Sequence, residues 1–231
     1  MTITDMLLTP GATHGRTGQP LTPQGIVVHY VANPGSTAAN NRNWFENGAG
    51  GAHSSSHYII GLNGEILRLI PDNERAMHAG KSFGKAWDEM VKTNNARFIG
   101  IEGCHPDAAG KFNEKTYAAL VWLVRELCKA RGLDARQQVY RHYDVCGKMC
   151  PLYYVNNLDA WKQFLTEVAQ PVTSTPSAWE LEQAAATEWG KENGITDGRR
   201  PQDTCTRVEM WAMLRRLFVF ICSMINNDKN E

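Results

Sequence analysis

Apolar residues along the first 168 positions fall in short blocks, each with a readable period, separated by Gly-, Pro- and Asn-rich breaks. Ile26 to Val31 is a near-continuous apolar run of strand length and predicts a buried strand. The Pro34-Gly35 turn after it precedes Ser36, an N-cap candidate for a helix through Phe45. Ser54 to Ile70 reads as a hairpin, because two β-rich runs flank Asn63-Gly64, a strong signal for a two-residue turn. Phe98 to Cys104 predicts another strand, with Ile99 and Ile101 on one face and Glu102 and Cys104 on the other. Thr116 to Arg131 is amphipathic: Leu120, Val124 and Leu127 recur with Val121 and Cys128 at helical spacing, Asn113 can cap the start, and Gly132 stops it. Val139 to Tyr143 predicts a short strand delivering His142, and Asp159 to Val168 a closing helix. Residues 1–24, polar and rich in Gly, Pro and Thr, read as a lead-in loop. Strands and helices that alternate in this way imply an α/β fold, a mixed central β-sheet flanked by helices, over residues 1–168.

The pattern changes after that point. Residues 169–177 (AQPVTSTPS) have no periodicity and read as a linker. Residues 178–231 then predict a small helical hairpin module. Ser177 with Glu180 and Thr206 with Glu209 fit the capping box, a hydroxyl followed three residues on by a carboxylate that together satisfy the first free N–H groups of a helix. The first of these helices ends near Asn193-Gly194.

Composition changes this picture little but removes several functions. With 24 Lys and Arg against 24 Asp and Glu, the net charge is zero, so no electrostatic case exists for nucleic acid or an anionic membrane. The opening residues carry no basic segment leading into a long apolar one, so no secretory signal is expected, and no apolar run is long enough to insert across a bilayer. Six cysteines spread thinly over a chain without such a signal suggest reduced thiols and a cytoplasmic location in the producing cell.

Candidate chemistry sits in two separated segments. His29 ends the first strand, and His142 and Cys150 bracket RHYDVCGKMCP. Imidazole nitrogens and a thiolate bind Zn2+, and a catalytic zinc keeps three protein ligands with a fourth position open. Glu102, a carboxylate amid apolar strand residues, is expensive to bury unless paired or functional, and is a general-base candidate. Lys148 could bring a cation to a developing oxyanion. From spacing alone Glu102 could equally be half of an ion pair and Lys148 a solvated loop charge. Cys146, four residues from both His142 and Cys150, is a rival ligand that would close the site into a structural one.

The segments IVVHYVANPGSTAANN, SSHYIIGLNGEILRLIP, MHAG, IGIEGCHPDAAGKFNEKTY and RHYDVCGKMCP, in this order, resemble the zinc-dependent N-acetylmuramoyl-L-alanine amidases of type 2. That family is related to the peptidoglycan recognition proteins and includes many phage endolysins. The resemblance implies His29, His142 and Cys150 as zinc ligands, Glu102 as catalytic base, Lys148 as transition-state partner, and Cys146 as a bystander where Thr is common. It places His57 and His78 along the substrate groove, with structural histidines or histidines that support the ligands as the alternative. It departs from the family at Val31 and Gly103, where Thr and Ile are usual. The implied activity is hydrolysis of the amide between N-acetylmuramic acid and L-alanine in bacterial peptidoglycan, with release to the wall by a separate permeabilising protein. The alternatives are a non-catalytic peptidoglycan-binding protein and a host autolysin of the same chemistry.

In the C-terminal module, Trp179, Trp189, the GITDG loop, Pro201 and TRVEMWAMLRR resemble one S-layer-homology repeat, which implies binding of a secondary cell-wall polymer. A dimerisation hairpin, giving a homodimer, is the alternative. Seven Lys and Arg against nine Asp and Glu from 177 to 231 argue against DNA.

Overall fold

A computed structural model describes residues 1–80, 94–170, 186–193, 210 and 212–219 of the 231. By internal contacts the chain divides into two units, Met1–Pro171 and Val172–Glu231. In the second unit residues 186–192 and 212–219 are helical. The linker from 171 to 177, both capping boxes, Trp179, the GITDG loop and Pro201 lie outside the described residues.

The first unit is built on a six-stranded sheet of order β1-β4-β3-β5-β2-β6. Its strands are β1 (Ile3–Asp5), β2 (Gly25–Tyr30), β3 (Tyr58–Ile60), β4 (Ile66–Arg68), β5 (Phe98–Gly103) and β6 (Val139–Arg141). β3 and β4 pair antiparallel, and the remaining neighbours pair parallel, so the sheet is mixed as expected. Helices α1 (Ala38–Glu46), α2 (Glu114–Arg131), α3 (Ala135–Gln138), α4 (His142–Cys146), α5 (Leu152–Asn156) and α6 (Leu158–Ala169) surround it.

Side-chain alternation divides the core. Ile26, Val28, Ile99 and Ile101 point to one face, where they meet Leu120, Val124 and Leu127 of α2 and Trp161 and Phe164 of α6. Ile59, Leu67 and Cys104 pack on the other face against Ala38 and Phe45 of α1. Each fully buried aliphatic side chain contributes roughly 1.5–3 kcal/mol, so these two layers hold the sheet far more firmly than any single polar contact. α2 begins where the Asn113 side chain accepts from the Thr116 N–H at 2.9 Å, and it ends at Gly132, whose φ of 62° only glycine adopts without strain.

The first helix is capped by Thr37 and not by Ser36, and three further local expectations differ from what forms. Residues 3–5 are not loop but an edge strand beside β4; its hydrogen bonds and the fork of Arg68 on Asp5, at 2.7 Å, hold three residues too few to show a period. The hairpin loop is longer than two residues. Gly61 N–H donates to the Glu65 carbonyl and Gly64 N–H to the Gly61 carbonyl, and Gly64 takes the left-handed conformation at φ 82°, which is the three-residue turn with a bulge. The strand at 139 stops at Arg141, so His142 opens a helix instead of lying within a strand.

Candidate metal centre

The site is a product of strand register. In the parallel pair β2–β5, His29 lies opposite Glu102, and in β2–β6, Val28 lies opposite Arg141, one residue before His142. Three adjacent parallel strands therefore end together and deliver Glu102, His29 and His142 to one edge, the carboxyl ends where open α/β sheets bind ligands. A clamp fixes the start of α4: the Asp144 carboxylate accepts from the Arg141 backbone N–H at 2.8 Å and from its guanidinium at 2.6 Å. Gly147, left-handed at φ 86°, ends that helix. The chain then returns so that the Tyr143 N–H donates to the Cys150 carbonyl at 3.0 Å, while the Tyr30 N–H faces the Cys150 sulfur.

The donor atoms of His29, His142 and Cys150 lie within 4.8 Å of one another, in the one such His/Cys/Asp/Glu group among the described residues. His29 Nδ1 and Cys150 Sγ are 3.8 Å apart, and the His29 and His142 rings are 4.3 Å between centroids. Zinc–nitrogen and zinc–sulfur bonds of about 2.0 and 2.3 Å make tetrahedral edges of roughly 3.3–3.6 Å, so the widest pair would close by about 1 Å around an ion and the His29–Cys150 pair by less. All three residues are buried. Burial, then the neighbouring His142, His78 and Lys148, holds His29 well below its usual range, and burial with Lys148 lowers His142 to about 3. Both imidazoles are thus neutral at pH 7, the form that binds metal. Burial, reinforced by the Glu102 charge, pushes the Cys150 thiol upward, so it must lose a proton when it ligates.

Glu102 is partly exposed, yet its Oε2 is covered and has no hydrogen-bond partner among the described residues. Burial pushes the carboxyl up to about 8, against the opposing influence of Lys148. Lys148 is exposed and near enough to act on Glu102, His29, His142 and Cys150 electrostatically. Cys146 stands outside the donor group and directs its thiol to the His142 carbonyl at 3.4 Å, one turn back along α4.

His57 and His78 have their ring nitrogens engaged within the protein. His57 is fully buried; its Nδ1 accepts from the Gly100 N–H and its Nε2 donates to the Glu74 carbonyl, both at 2.9 Å. Ring and backbone are mutually satisfied, which makes His57 a brace between β5 and the segment after β4. His78 has Nδ1 3.0 Å from His29 Nε2 and Nε2 3.0 Å from the Phe98 carbonyl, leaving neither nitrogen for a substrate.

A family model described as N-acetylmuramoyl-L-alanine amidase matches residues 19–152, more than half of the chain and every residue of the cluster. The chain belongs to that family. A probable N-acetylmuramoyl-L-alanine amidase of Bacillus licheniformis is 36% identical over 149 residues, 63% of this chain and 41% of that protein. The chain thus spans less than half the length of this curated relative. Among solved structures, a mutant endolysin from Bacillus subtilis matches with a TM-score of 0.58 at 29% identity, covering 73% of this chain and 99% of that one. The catalytic domain of XlyA gives 0.59 at 30% identity over 73% and 99%.

Two residues of this amidase-family site escaped the sequence reading. Asn95 accepts from the backbone N–H groups of His78 and Ala79, at 2.9 and 2.8 Å, and so holds the segment that carries His78. Gly100 leaves the space that the His78 ring fills, since a Cβ there would stand 2.6 Å from His78 Cγ. A glycine inside a β-rich run is the one available signal, because it often marks a close approach.

Proposed function

We propose that this chain is a zinc-dependent amidase that hydrolyses the amide between the N-acetylmuramic acid lactyl group and L-alanine of peptidoglycan, in the manner of an endolysin. The observation that carries the reading is the convergence of two imidazoles and a thiol beside a carboxylate whose Oε2 is covered and has no hydrogen-bond partner among the described residues. Membership in the amidase family and the likeness to the endolysin structure support the choice of bond and substrate.

His29 Nδ1, His142 and Cys150 would hold the ion. When bound there, zinc supplies a water of lowered pKa and a Lewis acid for the scissile carbonyl. Glu102, across the strand pair from His29, takes the proton of the attacking water and returns it to the leaving amine of L-alanine. Burial, which raises its pKa in the zinc-free protein, favours the return of that proton to the amine. Lys148 presents its ammonium to the oxyanion that forms as the carbonyl becomes tetrahedral. Glu102→Ala tests the assignment: zinc content should stay at one ion per chain while turnover of purified cell walls falls about 10²–10⁴-fold. Undiminished turnover refutes the base.

Residues 178–231, after the linker at 169–177, are proposed to bind a secondary cell-wall polymer and so hold the catalytic unit, residues 1–168, at its substrate. Pull-down of the full chain on walls with and without extracted polymer tests this, and sedimentation tests the homodimer instead.

A further inference from the structure

His78 touches a proposed ligand from behind, and its second nitrogen ends on a carbonyl. The chain of contacts runs from Cys150 Sγ, 3.8 Å from His29 Nδ1, through His29 Nε2, 3.0 Å from His78 Nδ1, to His78 Nε2, 3.0 Å from the Phe98 oxygen. A carbonyl oxygen only accepts, so the His78 proton sits on Nε2. A neutral His78 then has a lone pair at Nδ1, and the proton in the next contact must belong to His29 Nε2. That leaves the lone pair of His29 on Nδ1, the atom that faces Cys150.

We infer that His78 is a positioning residue that sets the tautomer and orientation of His29, so that Nδ1 is presented ready for metal. The inference rests on the reading of His29 as a zinc ligand and extends it by one residue. Metal-bound histidines usually donate their second nitrogen to a carboxylate, carbonyl or water, which raises ligand basicity and fixes the ring. Here an imidazole is interposed between His29 and the carbonyl. The fold shows the ring being accommodated at both ends. β5 carries glycine at position 100, where any Cβ would collide with His78, and Asn95 grips the His78 and Ala79 amides. The Phe98 carbonyl that ends the chain of contacts belongs to the same strand, two residues before Gly100. Without the acceptor, His29 would be free to carry its proton on Nδ1, and zinc binding would first have to move it.

Two measurements decide this. In zinc-free protein with 15N-labelled histidine, long-range proton–nitrogen correlation spectra at pH 7.5 should show both His29 and His78 protonated on Nε2. A proton on His29 Nδ1 overturns the inference, and this readout needs no variant. Zinc affinity is then read by competition with a chromophoric chelator, with thermal unfolding confirming that each variant is folded. His78→Leu should bind zinc about 10–100-fold more weakly than wild type. His78→Asn, whose Oδ1 can stand near the lost Nδ1, should recover most of that loss, which mere packing would not explain. Gly100→Ala, which crowds the ring without altering it, should weaken binding as well. If wild type binds zinc and folded His78→Leu binds it equally tightly, the inference fails and the metal site stands. If wild type takes up no zinc, the metal site fails, and with it the claimed purpose of the contact.

Discussion

Two carboxylates of the first unit, Asp72 and Glu102, are placed in opposite circumstances. Asp72 accepts from the Tyr58 hydroxyl at 2.5 Å and from the Arg131 guanidinium, so each of its oxygens has a partner. Glu102 shares a sheet edge with three metal-type donors, has a covered oxygen with no hydrogen-bond partner among the described residues, and is raised to about 8. A covered polar group without a partner costs on the order of 1–3 kcal/mol, so a fold that keeps one keeps it against stability. Around Asp72 the scaffold satisfies its polar groups. At the strand ends Glu102 Oε2 has no hydrogen-bond partner among the described residues, and a substrate or water can complete it.

Neutralising each carboxylate in turn should separate the two most strongly. Glu102→Gln should lower turnover of cell walls about 10²–10⁴-fold while leaving stability equal or slightly higher. Asp72→Ala should leave turnover per folded molecule within about twofold of wild type. Comparable activity losses in both would erase the distinction.

The metal donors give the next effect. Above pH 7 both imidazoles are already neutral and the Cys150 thiol is still protonated, so each ion taken up should expel one proton. Apparent zinc affinity should therefore rise about tenfold per pH unit between roughly 7 and 8.5. Chelator competition across that range checks it, and a flat profile would mean that Cys150 is not a ligand.

Stability separates the two carboxylates in the other direction. Asp72→Ala should cost about 1–3 kcal/mol in urea unfolding, because it strands the Tyr58 hydroxyl and the Arg131 guanidinium. The smallest effect concerns the braced His57. Burial lowers it to about 4 from an ordinary 6.5, so between those values the unfolded chain binds a proton that the native one refuses. Stability of the zinc-free protein should therefore fall as pH drops from about 6.5 to 5, by up to about 1.4 kcal/mol per unit for this group. A urea midpoint that does not move over that interval would contradict it.

How much of this was legible in the chain depends on whether a feature is local. The Ile26–Val28 run, the Asn113 and Gly132 ends of α2 and the alternation of Ile99 and Ile101 against Glu102 each follow from neighbours in sequence, and each forms. Edge strand β1 and the extra loop residue before β4 depend on partners such as Arg68 and on a single glycine conformation, which no period records. At the site, His29, His142 and Cys150 were recognisable by ligand type and by collinear motifs, although 121 residues separate His29 from Cys150. The orientation of a ring was not recognisable. His57 and His78 resembled groove residues by motif, but their nitrogens are consumed by Gly100, Glu74, Phe98 and His29, contacts that only the folded register creates.

Whether these groups cleave one amide is tested most directly by mass spectrometry of fragments released from purified peptidoglycan by the zinc-loaded chain. Stem peptides with a free L-alanine amino terminus and glycan strands bearing intact lactyl carboxylates are expected. Fragments that keep L-alanine on muramic acid, cut instead within the glycan or between peptides, would contradict that cleavage.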